Sequence, residues 1–430
     1  MINHKLTIKT NILQIILIIF TCIPFLLELK NAQRNPIIPY HAHIIILLYI
    51  LLFLFLLPFI KVKLETSKLF ILIMWTGLFL WSMTTSFWSL YPEFVIQRSF
   101  MIFIPSYILF IVTFYDKEPI NTFFSILNYL SWFGAMLAFI GLLILIVGEN
   151  VWVDGSRIGI LKIGFFTIEQ KLFGAPPLLR ISSLTGNPNS LAATLMISLA
   201  STIALYFADI WGKTKSMFFF GIQFMALIFT FSRAGISVTI IVLCLLVVFS
   251  QKQLSSKIFK SILIILITGL LLGFTYIILP DSILGGLINR IAVGLNLRDQ
   301  LWIPLISSVL ESPLTGVGFG VSQEAVLQPE GFTQGAHNAH LAITSEIGIL
   351  GYIVLCFLWI YGIIFSLRLN KTIEKKLRIA FITIGVLLFG FYIHQFVETS
   401  ILRFSARHFV WVYLLGSAVS LYSKSCQKIN

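Results

Sequence analysis

Charge is scarce in this chain. Only 11% of its 430 residues are Asp, Glu, Lys or Arg, against about 25% in a soluble domain. That scarcity excludes a water-facing shell large enough to wrap the apolar remainder. Cysteine is scarce too. Cys22, Cys244, Cys356 and Cys426 fall in apolar stretches or the C-terminal tail, so neither a disulfide nor a cysteine-based metal site is expected. There is no internal repeat, no low-complexity tract and no basic domain. The net charge of +13 is spread over short loops, which argues against a nucleic-acid partner. No small-x-small cleavage site follows the first apolar stretch, which Lys5 and Lys9 precede. That stretch therefore reads as a retained first helix.

What is abundant is apolar surface. Hydrophobic residues make up 58% of the chain, Phe alone occurs 40 times, and mean hydropathy is +0.96. The runs are continuously apolar, whereas barrel strands would alternate. A bilayer must be the solvent for most of this surface, and the spanning element must be the helix. The expected fold is an all-α integral membrane protein with about twelve transmembrane helices and two long outer loops. Helices one to five occupy 1–147, the first long loop 148–190, helices six to nine 191–279, the second long loop 280–346, and the last three helices 347–430. The seventh and eighth spans are short, separated only by Ser232-Arg233-Ala234-Gly235, and read as a tight hairpin or a broken helix.

An even count puts both termini on one side, and the positive-inside rule makes that side the cytoplasm. The split by residue type is sharper than the total. Inner loops and tails hold sixteen Lys and two Arg, whereas outer segments hold three Lys and nine Arg. The nine are Arg34, Arg98, Arg157, Arg180, Arg233, Arg290, Arg298, Arg403 and Arg407. Orientation needs only positive charge. A planar guanidinium, weakly hydrated and able to make two parallel hydrogen bonds, is suited to phosphate. The outer face is thus expected to meet an anionic, phosphate-bearing ligand; the bland alternative is Arg that snorkels or pairs with outer carboxylates.

The second long loop has internal pattern. Ile291, Leu295, Leu301, Leu305, Ile306 and Val309 suggest an amphipathic helix at the membrane surface. Gly316-Val317-Gly318-Phe319-Gly320 follows. It is not a dinucleotide fingerprint, because its spacing is GxGxG and no strand precedes it; it reads as a flexible turn. Next comes Gly335-Ala336-His337-Asn338-Ala339-His340 at the outer entrance to the tenth span. Three residues apart, His337 and His340 would share a face if helical. A zinc pair, interfacial helix caps and a general base all fit such histidines. The usual helical zinc spacing is i, i+4, and no third ligand is obvious beyond Glu346, so no metal is expected.

These residues resemble the O-antigen ligase and polymerase family of bacterial membrane glycosyltransferases. His337-Asn338, nine residues, then Gly348-Ile349-Leu350-Gly351 is similar to the ligase signature, although Tyr352 stands where that signature has Thr or Ser. Arg298 to Trp302 followed by Pro313 to Gly318 resembles the family's Arg-x3-Trp and Pro-x2-Gly-x-Gly run. Gly186-Asn187-Pro188-Asn189 looks like its Asn-Pro-Asn helix entrance, and Ser232-Arg233 like its Ser-Arg turn. Together the matches cover about Arg180 to Gly351.

The resemblance implies a multi-pass protein of the bacterial inner membrane with both termini cytoplasmic and its catalytic loop, 280–346, facing the periplasm. It implies a glycan donor on undecaprenyl pyrophosphate, an acceptor that is lipid A–core or another lipid-linked glycan, and no cofactor or metal. His337 would be the catalytic base or would orient the acceptor hydroxyl, and Arg233 and Arg298 would clamp the pyrophosphate. Arg180, His340 and Glu346 would position substrate. Asn187 and Asn189 read more simply as caps of the sixth helix. Two alternatives stay open: the polymerase branch, and a transporter or flippase for lipid-linked sugars. The latter would spread polar groups through both halves, whereas here they crowd into the second.

Overall fold

The computed structural model describes residues 2–33, 35–38, 41–56, 65–153, 156–164, 166–174, 179–250, 300–333, 335–368 and 374–427. The ninth expected span, Arg34, Arg290, Arg298, Ile291 and Leu295 lie outside the described residues. The other expected spans are helices: α1 (Ile2–Leu27), α2 (His41–Leu56), α3 (Thr66–Thr84), α4 (Pro92–Phe114), α5 (Pro119–Val147), α6 (Pro188–Phe207), α7 (Lys213–Phe229) and α8 (Arg233–Ser250). A helical run whose described part is 300–311 is α9. Then come α10 (Ala339–Arg368), α11 (Lys375–His394) and α12 (Ala406–Gln427). Seven of the described helices, α3, α4, α5, α6, α8, α10 and α11, are long and apolar enough to cross a bilayer.

The helices sort by what surrounds them. Along α12 the side chains from Phe409 to Leu415 are all buried, including Trp411 and Tyr413. A helix buried all round belongs at the centre of a bundle. Beside it, α6 is rich in Ala, Ser and Thr, whose hydroxyls bond back to their own helix, as Ser201 does to the Ile197 carbonyl at 2.8 Å. Small side chains let backbones approach: a Cβ on Gly134 of α5 would lie 2.1 Å from the Ser198 hydroxyl. The seventh and eighth spans are two helices joined by a tight turn. Phe231 takes a left-handed φ of 46° there, and α8 packs on α6 and α11 more than on α7.

The first long loop carries β-structure that the all-helical expectation did not include. Strands β1 (Glu149–Val153), β2 (Ser156–Ile163) and β3 (Phe166–Leu172) form an antiparallel sheet in that order, with Trp152 opposite Arg157 and Ile163 opposite Phe166. The fully buried Gln170 of β3 clamps the sheet to the bundle: it donates to the Gly141 carbonyl at 2.8 Å and accepts from the Ser183 N–H at 2.9 Å. The end of the bundle that bears this sheet also carries every described candidate site residue.

The glycine run after α9 is not a flexible turn. It is a packed joint. Gly348 interrupts α10 with φ 66° and ψ 178°, and the chain from Pro313 to Gly318 fills the interruption. Ile349 N–H donates to the Pro313 carbonyl at 2.8 Å, Val317 N–H to Ser345 at 2.9 Å, and Gly318 N–H to Glu346 at 2.9 Å. Trp81 Nε1 donates to the freed Ile347 carbonyl at 2.8 Å and Trp88 Nε1 to Gly316 at 3.0 Å. Every such group needs a partner at membrane depth. The glycines are required by space as well as by dihedral: a Cβ on Gly348 would sit 2.1 Å from the Leu314 carbonyl oxygen, and one on Gly316 2.4 Å from the Glu346 carbonyl carbon.

Gly348→Ala should therefore cost about 1–3 kcal/mol in backbone strain alone, before any clash with Leu314. A lower midpoint of thermal unfolding in detergent is the expected outcome; an unchanged midpoint would show that α10 closes without the joint.

Candidate active site

The site is assembled where α10 begins. Asn338 caps that helix, its Oδ1 accepting from the Leu341 N–H at 3.0 Å. The first helical residue is held from across the bundle: Ala339 N–H donates to the carbonyls of Gln395 at 2.8 Å and Glu398 at 3.1 Å. From α9, Trp302 Nε1 donates to the Ala336 carbonyl at 3.1 Å. His337 sits between these fixed points with a left-handed φ of 48°. Such a conformation in a non-glycine residue costs about 1–3 kcal/mol and persists only where the surroundings over-determine it. It turns the imidazole away from the helix that follows, so His337 and His340 do not share a helix face.

The imidazole meets a carboxylate. His337 Nδ1 lies 3.7 Å from Glu398 Oε1, with both side chains largely buried. Neither atom has a hydrogen-bond partner among the described residues, so the two face each other as an ion pair and not as a hydrogen bond. Glu398 stands in the short loop between α11 and α12. Burial raises its carboxyl, but the His337 imidazole and the charges of His394 and Arg407 outweigh that effect and hold it at about 2. A carboxylate behind one ring nitrogen leaves the other, Nε2, as the nitrogen that can take up a proton, and it stabilises the imidazolium that results.

From Glu398 the network runs to the other candidate residues. Arg407 opens α12 and donates to the Ser190 carbonyl at 3.4 Å. The same start of α6 is capped by Asn187, whose side chain accepts from the Asn189 N–H at 2.8 Å, as expected of a cap. Asn189 plays a different part, accepting from Arg180 at 3.1 Å. Arg180 Nε donates to the Thr230 carbonyl at 2.8 Å, at the turn that leads into Arg233. Arg233 itself is exposed at the start of α8.

Two expected positioning residues are occupied in other ways. His340 is buried among Tyr352, Trp359, Tyr392 and Phe396; its Nε2 bonds the Tyr392 carbonyl and its Nδ1 the Tyr352 hydroxyl, both at 2.9 Å. Tyr352, which departs from the signature, is thus the residue that holds His340. Glu346 is fully buried. It receives the Arg403 guanidinium through two hydrogen bonds, of 2.5 and 3.0 Å, and the Ser322 hydroxyl at 2.5 Å. Arg98 likewise commits both terminal nitrogens to Glu324, at 2.6 and 2.9 Å, and this pairing lowers the Glu324 carboxyl. A cavity of about 350 Å³ lies beside Arg403 and Arg407, with Lys30, Ser190 and Thr399 also among its walls; His337 and Glu398 do not line it.

Glu398 had no motif to mark it. The only signal in the sequence is a single carboxylate in a short loop beside Arg403 and Arg407. Among the described residues no group of three His, Cys, Asp or Glu side chains is placed to hold a metal ion. Residues 218–356 match the family model described as O-antigen ligase. That region contains Arg233, Glu346, His337 and His340, and the whole joint between Pro313 and Gly348. No curated protein matches the chain.

The His337–Glu398 contact carries a pH signature. A Glu carboxyl held at about 2 against an ordinary 4.5 stabilises the fold fully above pH 4.5, and that contribution is lost as pH falls from 4.5 through about 2. Glu398→Gln should flatten this part of the acid-unfolding profile in detergent. An unchanged profile would mean the carboxylate is not ionised against its neighbours.

Proposed function

The chain carries an O-antigen ligase family domain, and on that premise we propose that it is a membrane glycosyltransferase. It moves a glycan from undecaprenyl pyrophosphate to a sugar hydroxyl of lipid A–core on the periplasmic face of the inner membrane, with both termini in the cytoplasm. The observation that carries this reading is the strained, largely buried His337 backed by Glu398, with the charge of Arg407 acting on the same carboxylate. His337 Nε2 takes the proton of the acceptor hydroxyl. The hydroxyl oxygen attacks the anomeric carbon as the bond from that carbon to the diphosphate oxygen breaks. The diphosphate departs with the electron pair, and the imidazolium remains paired with Glu398.

Positioned general bases are worth about 10²–10⁴-fold. The guanidinium groups supply charge where the leaving group develops it: Arg233 from its exposed place at the α8 start, Arg298 from the second loop, and Arg407 beside the cavity. Arg180 and Glu346 act by holding loops in place, and His340 by locking the first turn of α10. This chemistry needs no metal, so transfer insensitive to EDTA is expected.

The test is transfer from a purified lipid-pyrophosphate donor to lipid A–core in vesicles. His337→Ala should abolish it while the protein still inserts; near-full activity would remove His337 from the mechanism. Arg298→Lys keeps charge but loses the fork, so donor KM should rise, and a wild-type KM would leave Arg298 a snorkelling residue. Elongation of a lipid-linked acceptor in place of lipid A–core would turn the reading to a polymerase. Movement of donor across the bilayer without transfer would turn it to a flippase.

A further inference from the structure

The three-stranded sheet has two unlike faces. Successive residues of a strand alternate between faces, and residues paired across strands share one. The face that carries Gln170 also carries Gly159 opposite it. This is the face packed on α5: Gln170 bonds the Gly141 carbonyl, and a Cβ on Gly159 would lie 2.7 Å from the Ile144 side chain. Further along the same face come Leu161 opposite Ile168, then Ile163 opposite Phe166 where β2 turns into β3. All four are apolar. Leu161 and Ile168 are partly buried, whereas Ile163 is 52% and Phe166 73% exposed. The other face at this end is polar. Lys162 stands opposite Thr167, and Lys162 pairs with Glu149 at 3.2 Å, both exposed. The hairpin is thus an apolar overhang with a polar back.

The helix beneath decides what the overhang meets. At 29 residues α5 is longer than the roughly 20 that a bilayer core requires. Its side-chain amides, Asn121 and Asn128, stand near its start, and the stretch from Gly141 to Val147 is wholly apolar. The surplus length therefore lies at the start, and the last turns lie in hydrocarbon. An exposed apolar stripe at helical spacing, Trp132, Met136, Phe139 and Ile146, runs along α5 to that last turn, where Val147 is exposed too. On a spanning helix such a stripe faces lipid. Val147 ends α5, Glu149 begins β1, and Glu149 pairs with Ile160, so the sheet starts at the level where the stripe stops. Exposed apolar surface of this kind marks a contact with a membrane or a protein. Its continuity with the α5 stripe makes the membrane the partner here.

We propose that the β2–β3 hairpin is an interfacial anchor. Phe166 and Ile163 are immersed at the boundary of headgroups and acyl chains, in the leaflet at the sheet-bearing end. Leu161 and Ile168 lie at the rim, and Lys162 and Thr167 face water. The anchor is tied to residues of the site. Past its end β3 runs into a backbone pair in which Phe173 and Arg180 exchange both hydrogen bonds, of 3.1 and 2.8 Å. Gln170 also holds the Ser183 N–H, just ahead of the α6 entrance. The depth of the hairpin in the leaflet thereby sets the height of Arg180 and of the α6 start relative to the lipid headgroups. The inference does not depend on the glycosyltransferase reading and stands for any chemistry at this end of the bundle.

The experiment is power-saturation electron paramagnetic resonance on the full chain in nanodiscs holding one copy. Nitroxides are attached to Lys162→Cys, Ile163→Cys, Phe166→Cys and Thr167→Cys, one at a time, with Cys22, Cys244, Cys356 and Cys426 replaced by Ala. All four labelled positions are exposed, so the label displaces no core side chain. At positions 163 and 166 oxygen should relax the nitroxide more than a water-soluble nickel chelate does, with an immersion of about 5–10 Å, the depth of interfacial elements. At 162 and 167 the order should reverse. Dominance of the nickel chelate at all four positions would leave the hairpin in water and overturn the assignment. Shielding of position 166 from both reagents would overturn it too, because protein would then cover the tip. A tip that is wet in single-copy discs and shielded when two copies share a disc would give the surface to a second copy instead. A second measurement keeps the native cysteines: Phe166→Trp in vesicles of bromine-labelled lipid should lose more indole fluorescence than the parent chain, and an equal loss would also overturn the anchor.

Discussion

The break in α10 at Gly348 is the constraint on which the rest of this site depends. A transmembrane helix cannot simply stop being helical, because each freed N–H and C=O then faces hydrocarbon. Here the cost is offset by the Pro313–Gly318 chain and by the indoles of Trp81 and Trp88, which supply the missing partners. The break aims the first turn of α10 toward α11 and α12. There Ala339 N–H finds the carbonyls of Gln395 and Glu398. The buried Glu346–Arg403 pair locks the same joint from the side. Leaving one member of such a pair alone is strongly unfavourable, so the loop bearing Arg403 is tied to the break.

Placing His337 one residue before the Asn338 cap has two effects. The cap satisfies helix N–H groups, while the left-handed residue ahead of it swings its imidazole out of the helical path and onto Glu398. His340, by contrast, is absorbed into an aromatic cluster. Two histidines three positions apart thus do different work, because the helix starts between them.

The arginine excess also divides. Arg98, Arg180 and Arg403 spend their donors on Glu324, on Asn189 and Thr230, and on Glu346. Their forks serve as clamps for the loops. Arg233 and Arg407 keep capacity in reserve, and Arg407 does so beside a cavity. Counting guanidinium groups drew attention to one end of the bundle, but the count could not say which of them are occupied by protein. That depends on carboxylates and carbonyls far away in the chain: Glu324 is 226 residues from Arg98, and Glu346 is 57 from Arg403.

Continuous apolar runs were enough to reveal most of the described helices, because burial in lipid leaves a helix no other way to satisfy its backbone, but α10 begins at Ala339, inside the segment expected to be loop up to 346. The cap at Asn187 was legible from local chemistry, and the order of the motifs was legible as a family likeness, whereas the helix start after His337-Asn338 was not, since that stretch read as the end of a loop. The three-stranded sheet was not, since its strands are short and lie in a segment whose pattern is neither apolar nor strictly alternating. Glycine spacing marked the Gly316–Gly320 run as unusual but not as a joint, because its partner is the interrupted helix some thirty residues on. The place of Glu398 behind His337, and of Arg407 beside a cavity, came only from tertiary structure. A carboxylate comes to face an imidazole through contacts between segments that the chain keeps far apart.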